Sequence, residues 1–202
     1  LSLDLKHPDA ADILQQLLGD ADVLIQNLAP GAADRLGLGF DALHTRFPKL
    51  IVCDISGYGD HGPYRDKKAY DLLIQAAAGL ISVTGGENAP SRAGISIADI
   101  AAGMYAYSGI LSALLLRART GVGERVEVTM LEALGEWMSY PLNFAHYGGT
   151  PPARHGLAHP SIAPYGHYRT GDGGSVIFGL QNDREWQRFC LNALDDAALA
   201  ND

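Results

Sequence analysis

Short apolar runs and stretches with helical apolar spacing follow one another along the first half of the chain. Leu1 to Leu5 alternates apolar and polar residues as a strand does, and Ala21 to Gln26 and Leu50 to Ile55 are short apolar runs typical of buried strands. The stretches between them predict helices from Pro8 to Gly19, over Ala32 to Leu36 and over Asp41 to Phe47. Strands that alternate with helices predict an α/β fold with a parallel sheet.

The second half contains one long helix and then a change in composition. Ile97 to Arg119 is strongly apolar and rich in Ala and Gly, which permits close packing and predicts a central helix. The other predicted elements are helices over Tyr70–Leu80, Met130–Tyr140 and Asp183–Leu194, and strands over Arg125–Thr129 and Ser175–Leu180. Residues 147–174 are rich in Gly, Pro and His. We therefore expect a large domain over 1–146, a linker and active-site loop over 147–174, and the start of a smaller α/β domain over 175–202.

Charge and composition disfavour several classes of partner. The chain has 15 Lys and Arg residues against 23 Asp and Glu residues, a net charge of −8, which disfavours nucleic acid and anionic membranes. An anionic ligand would need local basic groups.

Cys53 and Cys190 lie far apart without Cys-x-x-Cys spacing, which favours a reducing compartment and predicts a cytoplasmic protein. No unbroken apolar run reaches the ~18 residues that span a bilayer, so no membrane association is predicted.

Two loops that follow predicted strands carry candidate binding groups. Gly57 to Gly62 fits G-x-G-x-x-G, but no helical pattern begins at its third glycine, which favours a tight loop over a dinucleotide fingerprint. Asn27 to Gly31, with Arg35 one turn later, is either an anion site at a helix start or an ordinary turn. His155 and His159 are four positions apart, but Gly156 and Pro160 favour a loop over the helix of a zinc motif, so no metal site is predicted.

Asp99 is the most informative single residue. It is a carboxylate among apolar and small residues at the predicted start of the long helix. A charge in such a setting is costly unless it is solvated or compensated, and a helix N-terminus compensates a negative charge. The pattern leaves two interpretations open, a helix cap and a functional carboxylate.

Taken together, several segments resemble the class III CoA-transferases, the family of formyl-CoA transferase and carnitine CoA-transferase. Members of that family are substantially longer, so the resemblance implies that this chain is part of a longer protein, as its start within a predicted strand also suggests. It further implies a Rossmann-like large domain, a smaller α/β domain and a homodimer of interlocked subunits. The matching segments are Ser2–Lys6, Asn27–Gly31, Asp34–Gly37, Ser56–Gly59, Lys68–Asp71, Ile97–Gly103 and Arg119–Val126.

The resemblance also implies roles for particular residues. Asp99 is the expected nucleophile, which would carry CoA as an aspartyl thioester between two acids, without a metal. Residues 1–146 would then be the CoA-binding domain. The expected CoA contacts are Asn27, Leu28 and Ala29 at the adenine and ribose, Arg35 at a phosphate, and Lys68, Ala69, Tyr70 and Asp71 along the pantetheine arm.

The acid substrates are expected to be dicarboxylates. The glycine-run loop that formyl-CoA transferase places over its active site is absent, and Arg154 to Tyr165 stands in its place. A second carboxylate would be held by a basic side chain from the set Arg92, Arg154, His155 and His159. Succinyl-CoA is the expected donor, and a C4 or C5 dicarboxylic acid of the malate, citramalate, itaconate or mesaconate type is the expected acceptor.

Two other functions stay open at this point. Racemases of 2-methylacyl-CoA share the fold and the aspartate, but they use a histidine where this chain has Tyr70 before Asp71. A tyrosine, with an ordinary pKa near 10, is a poor base at neutral pH, which favours the transferase. A CoA-binding subunit without turnover is the non-enzymatic alternative.

Overall fold

The computed structural model describes residues 2–5 and 7–201, and for residue 201 it describes the backbone alone. Seven strands and nine α-helices make up most of these residues. The strands are β1 (Val23–Gln26), β2 (Ile51–Ser56), β3 (Gly85–Gly86), β4 (Ala89–Pro90), β5 (Arg125–Thr129), β6 (Tyr165–Arg169) and β7 (Ser175–Gly179). The helices are α1 (Ala10–Gly19), α2 (Ala32–Arg35), α3 (Phe40–Arg46), α4 (Asp71–Ala77), α5 (Leu80–Val83), α6 (Ile97–Thr120), α7 (Met130–Trp137), α8 (Ser139–Gly148) and α9 (Asp183–Phe189).

The principal sheet is parallel, with the strand order β1-β2-β5. The middle strand β2 is the most buried, and Ile51, Val52 and Cys53 on it are fully inaccessible. Because the strand is buried on both faces, its sequence is a continuous apolar run. The predicted parallel α/β sheet is therefore confirmed. β1 lies at one edge of this sheet, and its Ile25 is 56% exposed, so the expectation that this strand is buried was wrong.

Helix α6 packs closely against the sheet through small residues, as predicted. Its buried positions are all alanines: Ala98, Ala101, Ala102, Ala106 and Ala113. At Gly109 a side chain would meet Val126 of β5 at 2.7 Å, so only glycine permits this approach. The outer face of α6 remains apolar and exposed, and by length and composition alone the helix would suffice to cross a membrane. Core helices share that property, so it is weak evidence for a membrane span.

Three predicted elements differ from the structure for local reasons. Ser2 to Leu5 form no strand, and Leu1 lies outside the described residues. The predicted helix over Tyr70–Leu80 is divided at Gly79, which has a φ of 84°. The helix predicted from Met130 is also divided, because Pro141 in the first turn of α8 has no N–H with which to continue α7.

Residues 147–174 contain more order than a linker. β6 lies within them and pairs antiparallel with β7, so that Tyr165 faces Gly179. Arg154 fastens the segment to the β3–β4 hairpin, because its guanidinium donates to the carbonyls of Ser82, Gly86 and Glu87. The predicted ordered loop is thus anchored to the large domain. The domain boundaries themselves stay a prediction.

Candidate functional site

A cavity of about 920 Å³ opens where β1 and β2 end. Because the two strands are parallel, the loops that follow them meet at one edge of the sheet, which is where open α/β sheets bind ligands. The wall is formed by residues 26–31, 33–34 and 39–42 at and after the end of β1, by residues 54–60 and 65–70 around β2 and its loop, and by Arg125, Glu127 and Met130. Both loops singled out in the sequence therefore line the same cavity.

An ionic network forms one wall of this cavity. Asp54 of β2 accepts hydrogen bonds from Gln26 Nε2 at 2.9 Å and from Arg125 Nε at 2.7 Å. Arg125 also donates to Asp60 at 3.0 Å, and its Nη1 lies 3.8 Å from Glu127. The three carboxylates hold the pKa of the Arg125 guanidinium above its usual range, even though partial burial acts in the opposite direction. The network ties the loop after β2 to β5, and it was not predicted from the sequence.

The loop after β1 is held by its own polar side chains. Gln26 Oε1 accepts from the backbone N–H of Leu28 at 2.8 Å, and Asn27 Nδ2 donates to the carbonyl of Ile55 at 3.3 Å. Asn27, Leu28 and Ala29, the expected adenine and ribose contacts, all line the cavity. Arg35, the expected phosphate contact, does not line the cavity itself. Its Nη1 lies beside Gly31, and Gly31 does line the cavity.

The loop after β2 supplies basic groups to the same cavity. Gly57 to Gly62 form bends without a helix, which confirms the interpretation as a tight loop. Arg65, Lys67 and Lys68 line the cavity farther along the loop. The ammonium of Lys67 lies 4.5 Å from the ring centroid of Tyr64, a favourable cation–π contact. Only Lys68 was expected here, because a run of exposed basic residues does not reveal which of them faces a cavity.

Ala69 and Tyr70 continue along the cavity towards α4. At Gly57 a side chain would collide with the Cβ atom of Ala69, so glycine is required for these two segments to touch. Tyr70 also lines the cavity, is 66% exposed and directly precedes α4. Three of the four residues expected along the pantetheine arm therefore line the cavity.

Asp71, the fourth of those residues, points instead to helix α6. Its Oδ1 accepts from the backbone N–H of Ala98 at 2.8 Å, and its Oδ2 accepts from Gln75 Nε2 at 2.6 Å. Asp71 thus caps the first turn of α6, although it belongs to another helix. Asp71 is not among the residues that line the cavity, and its expected contact with the pantetheine arm stays a prediction.

Asp99 lies in the first turn of α6 and is exposed. The helix is preceded by Ser96 as its N-cap residue, so the interpretation of Asp99 as the cap was wrong. Within the described part of the chain, its carboxylate has no hydrogen-bond or ion-pair partner. Partial desolvation, and secondarily the negative charge of Asp71, raise the pKa of the Asp99 carboxyl. The carboxylate is therefore accessible and uncommitted, as a nucleophile must be.

The four residues expected at the acid substrate have different surroundings. Arg154 donates to three backbone carbonyls, as described above. His159 Nδ1 accepts from the N–H groups of Ser161 and Ile162, so a neutral ring carries its proton on Nε2. Arg92 and His155 are exposed, and among the described residues the guanidinium of Arg92 donates only to the adjoining carbonyl of Ala93. Arg92 and His155 thus remain available to a ligand.

One group of side chains in the described residues has the spacing of a metal site. Asp60, His61 and Glu127 bring one ligand atom each within 4.8 Å of one another. Arg125 donates to Asp60 and lies beside Glu127, so its positive charge opposes a cation there. Hydrogen bonds from His61 and then Arg125 lower the pKa of Asp60, while Asp60 raises the pKa of His61. The group behaves as a set of ion pairs.

The parallel sheet, the cavity at its carboxyl edge and the accessible carboxylate on α6 define an α/β protein with the layout of a ligand-binding enzyme domain. The model for CoA-transferase family III matches residues 1–202, and the chain belongs to this family. The resemblance noted in the sequence is thereby confirmed.

Individual relatives agree with this assignment. A succinate–glutarate CoA-transferase of Agrobacterium fabrum is 36% identical over 98% of this chain and 50% of its own length. A human succinyl-CoA:glutarate CoA-transferase is 32% identical over 94% of this chain and 43% of its own. The crystal structure of a CAIB/BAIF family protein from Brucella suis superposes with a TM-score of 0.87 and 32% identity over 100% of this chain and 53% of that one. The chain spans about half the length of the curated relatives it matches.

Proposed function

We propose that the protein containing this chain transfers CoA from an acyl-CoA, with succinyl-CoA as the donor, to a second dicarboxylic acid. The observation that carries the proposal is the accessible Asp99 carboxylate at the start of α6 in a chain of CoA-transferase family III. The cavity extends as far as Tyr70, and the next residue, Asp71, caps the first turn of α6, in which Asp99 lies. The names of relatives that act on succinate and glutarate support dicarboxylates as substrates.

The chemistry proceeds through two kinds of acyl intermediate on Asp99. Its carboxylate attacks the donor thioester and forms a mixed anhydride, with CoA leaving as the thiolate. The thiolate attacks the aspartyl carbonyl, which gives an aspartyl-CoA thioester and the free donor acid. The acceptor carboxylate attacks this thioester and releases the thiolate again. The thiolate then attacks the acyl carbonyl of the acceptor, which forms the new acyl-CoA and restores the Asp99 carboxylate.

Each attack creates an oxyanion that needs hydrogen-bond donors. The first turn of a helix has backbone N–H groups without intrahelical acceptors, and Asp99 lies in that turn. The N–H of Ala98 is already bound to Asp71 and that of Ile97 to the carbonyl of Ile95, so the donors must come from the N–H of Asp99 itself or from the neighbouring loops. Both intermediates hydrolyse in water, so the exposed Asp99 must be covered during the reaction.

Of the two basic candidates that remain available, Arg92 and His155, we propose Arg92 for the distal carboxylate of the acid. Arg154 is occupied by backbone carbonyls, and Nδ1 of His159 is occupied by backbone N–H groups. Arg92 lies seven positions before Asp99, with an exposed guanidinium. An arginine offers a carboxylate two parallel hydrogen bonds, which would distinguish a dicarboxylate from a monocarboxylate.

The interlocked homodimer is part of the same proposal. Exposed apolar side chains cover the outer faces of two helices of the described chain: Met104, Tyr107, Leu111 and Leu115 on α6, and Tyr140, Leu142, Phe144 and Tyr147 on α8. Faces of this kind commonly mark an interface. A further half of the chain, as in the relatives, and a partner subunit would cover these faces and Asp99. We place the enzyme in the cytoplasm, as its cysteines suggest.

A transfer assay on the full-length protein tests this proposal. With succinyl-CoA and glutarate, we expect glutaryl-CoA and free succinate in equal amounts. With a 2-methylacyl-CoA in deuterated water, we expect no enzyme-dependent exchange of the α-proton, because Tyr70 takes the place of a basic residue. Exchange at a rate near turnover would instead establish the racemase, and CoA binding without either reaction would establish a non-catalytic subunit.

A further inference from the structure

Gln75 of α4 is a fully buried amide that bonds at both ends. Its Oε1 accepts from the backbone N–H of Ala93 at 2.9 Å, and its Nε2 donates to Asp71 Oδ2 at 2.6 Å. Asp71 Oδ1 in turn accepts from the N–H of Ala98 at 2.8 Å. One side chain, directly and through Asp71, therefore holds both ends of the segment 93–98.

This segment joins two functional candidates. Arg92 directly precedes Ala93, and Asp99 directly follows Ala98. Gln75 does not line the cavity expected to bind CoA. A change at Gln75 would therefore alter the relation between Arg92 and Asp99 without removing a contact to the acyl-CoA.

We propose that Gln75 is a positioning residue, which fixes the Asp99 carboxylate relative to the acid-binding Arg92. The inference rests on the proposed function, because it takes Asp99 as the nucleophile. Hydrogen bonds in a buried setting are strengthened by the low local dielectric, so the network is suited to hold a fixed geometry. A displacement of 1 Å between reacting groups costs about 10²-fold in rate, so small shifts of this segment would be measurable.

Gln75→Met tests the proposal, with Gln15→Met as the matched control. Gln15 on α1 also has a buried amide oxygen, which has no partner among the described residues and lies away from the cavity lining. In the full-length protein we expect Gln75→Met to lower kcat by roughly 10- to 100-fold with an unchanged KM for succinyl-CoA. Gln15→Met should stay within about twofold of the wild type. Equal kcat values for the two variants, or a loss confined to KM, would overturn the proposal.

A donor–acceptor exchange separates positioning from folding. Gln75→Glu alone places a second carboxylate against Asp71 and should be as slow as Gln75→Met. Adding Asp71→Asn restores the bond between positions 71 and 75 with donor and acceptor exchanged, because the amide at position 71 donates to the carboxylate at position 75. That carboxylate still accepts from the N–H of Ala93, as the Gln75 amide oxygen does. We expect the double variant to recover at least about tenfold in kcat. A double variant no faster than Gln75→Glu would contradict the inference, whereas a wild type without transfer would contradict only the proposed function.

Discussion

Asp99→Asn should abolish CoA transfer while leaving the fold intact. A neutral amide does not form the anhydride, and removal of a covalent nucleophile costs on the order of 10⁶ in rate in a well-studied protease. The fold should not suffer, because Asp99 is exposed and its side chain has no partner among the described residues. Transfer of CoA from succinyl-CoA to glutarate, with thermal melting of the same preparations, measures both effects.

The stability of this variant has a predicted sign. Since folding raises the pKa of Asp99, its ionisation costs folding free energy at neutral pH. The contribution of Asp99 to stability is full below its unfolded pKa and is lost as the pH rises through its folded pKa. Asp99→Asn should therefore melt at the same temperature as the wild type or slightly higher at pH 7. Asp12→Asn in the first turn of α1 is the matched control, and it should keep full activity.

Arg125→Met should cause a large loss of stability. The substitution leaves Asp54 nearly buried, with 12% of its side chain exposed, beside two further carboxylates. Breaking a buried ion pair costs about 3–5 kcal/mol, but Arg125 is 35% exposed, so solvent screening reduces the expected cost to about 2–3 kcal/mol. In the full-length protein, about twice as long in the relatives, the melting temperature should fall by about 2–6 °C.

The pH dependence of that loss identifies its cause. The pKa of Asp60 is lowered in the fold, so its contribution to stability is present at neutral pH and is lost as the pH falls through its folded pKa. The difference between the wild type and Arg125→Met should therefore shrink below about pH 4. Arg119→Met, at an exposed arginine near the end of α6, is the control and should melt like the wild type. An equal effect of the two substitutions would mean that the network contributes nothing.

The parts of the structure that could be predicted are those governed by local patterns. The apolar run of β2 and the alternation in β5 indicated the sheet, and the Ala-rich helix α6 was placed correctly because its small residues mark close packing. The loops after β1 and β2 line one cavity, as expected for two parallel strands that bring their carboxyl ends to one edge, and their role in binding stays a prediction. Asp99 could be singled out because a carboxylate stands out at the start of an apolar helix, and its role as the nucleophile stays a prediction.

The parts that were missed depend on contacts between distant positions. Gln75 has the appearance of an ordinary polar residue in a helix, and only its bond to Ala93, 18 positions away, reveals a role. Arg125 meets Asp54 across 71 positions, so neither residue suggests the other. β6 has few apolar residues, and it is held by backbone pairing with β7. The predicted strand over Leu1 to Leu5 shows the reverse case, since the described part, Ser2 to Leu5, alternates apolar and polar residues but forms no strand.

The covalent intermediate on Asp99 is the central claim, and its mass tests the claim most directly. The full-length protein would be incubated with succinyl-CoA, quenched with acid, digested and analysed by mass spectrometry. We expect the peptide that contains Asp99 to gain the mass of CoA less one water, and to lose it when glutarate is added before the quench. The Asp99→Asn protein should show no such gain. Active wild-type protein without this adduct, or with the adduct on another residue, would contradict the account.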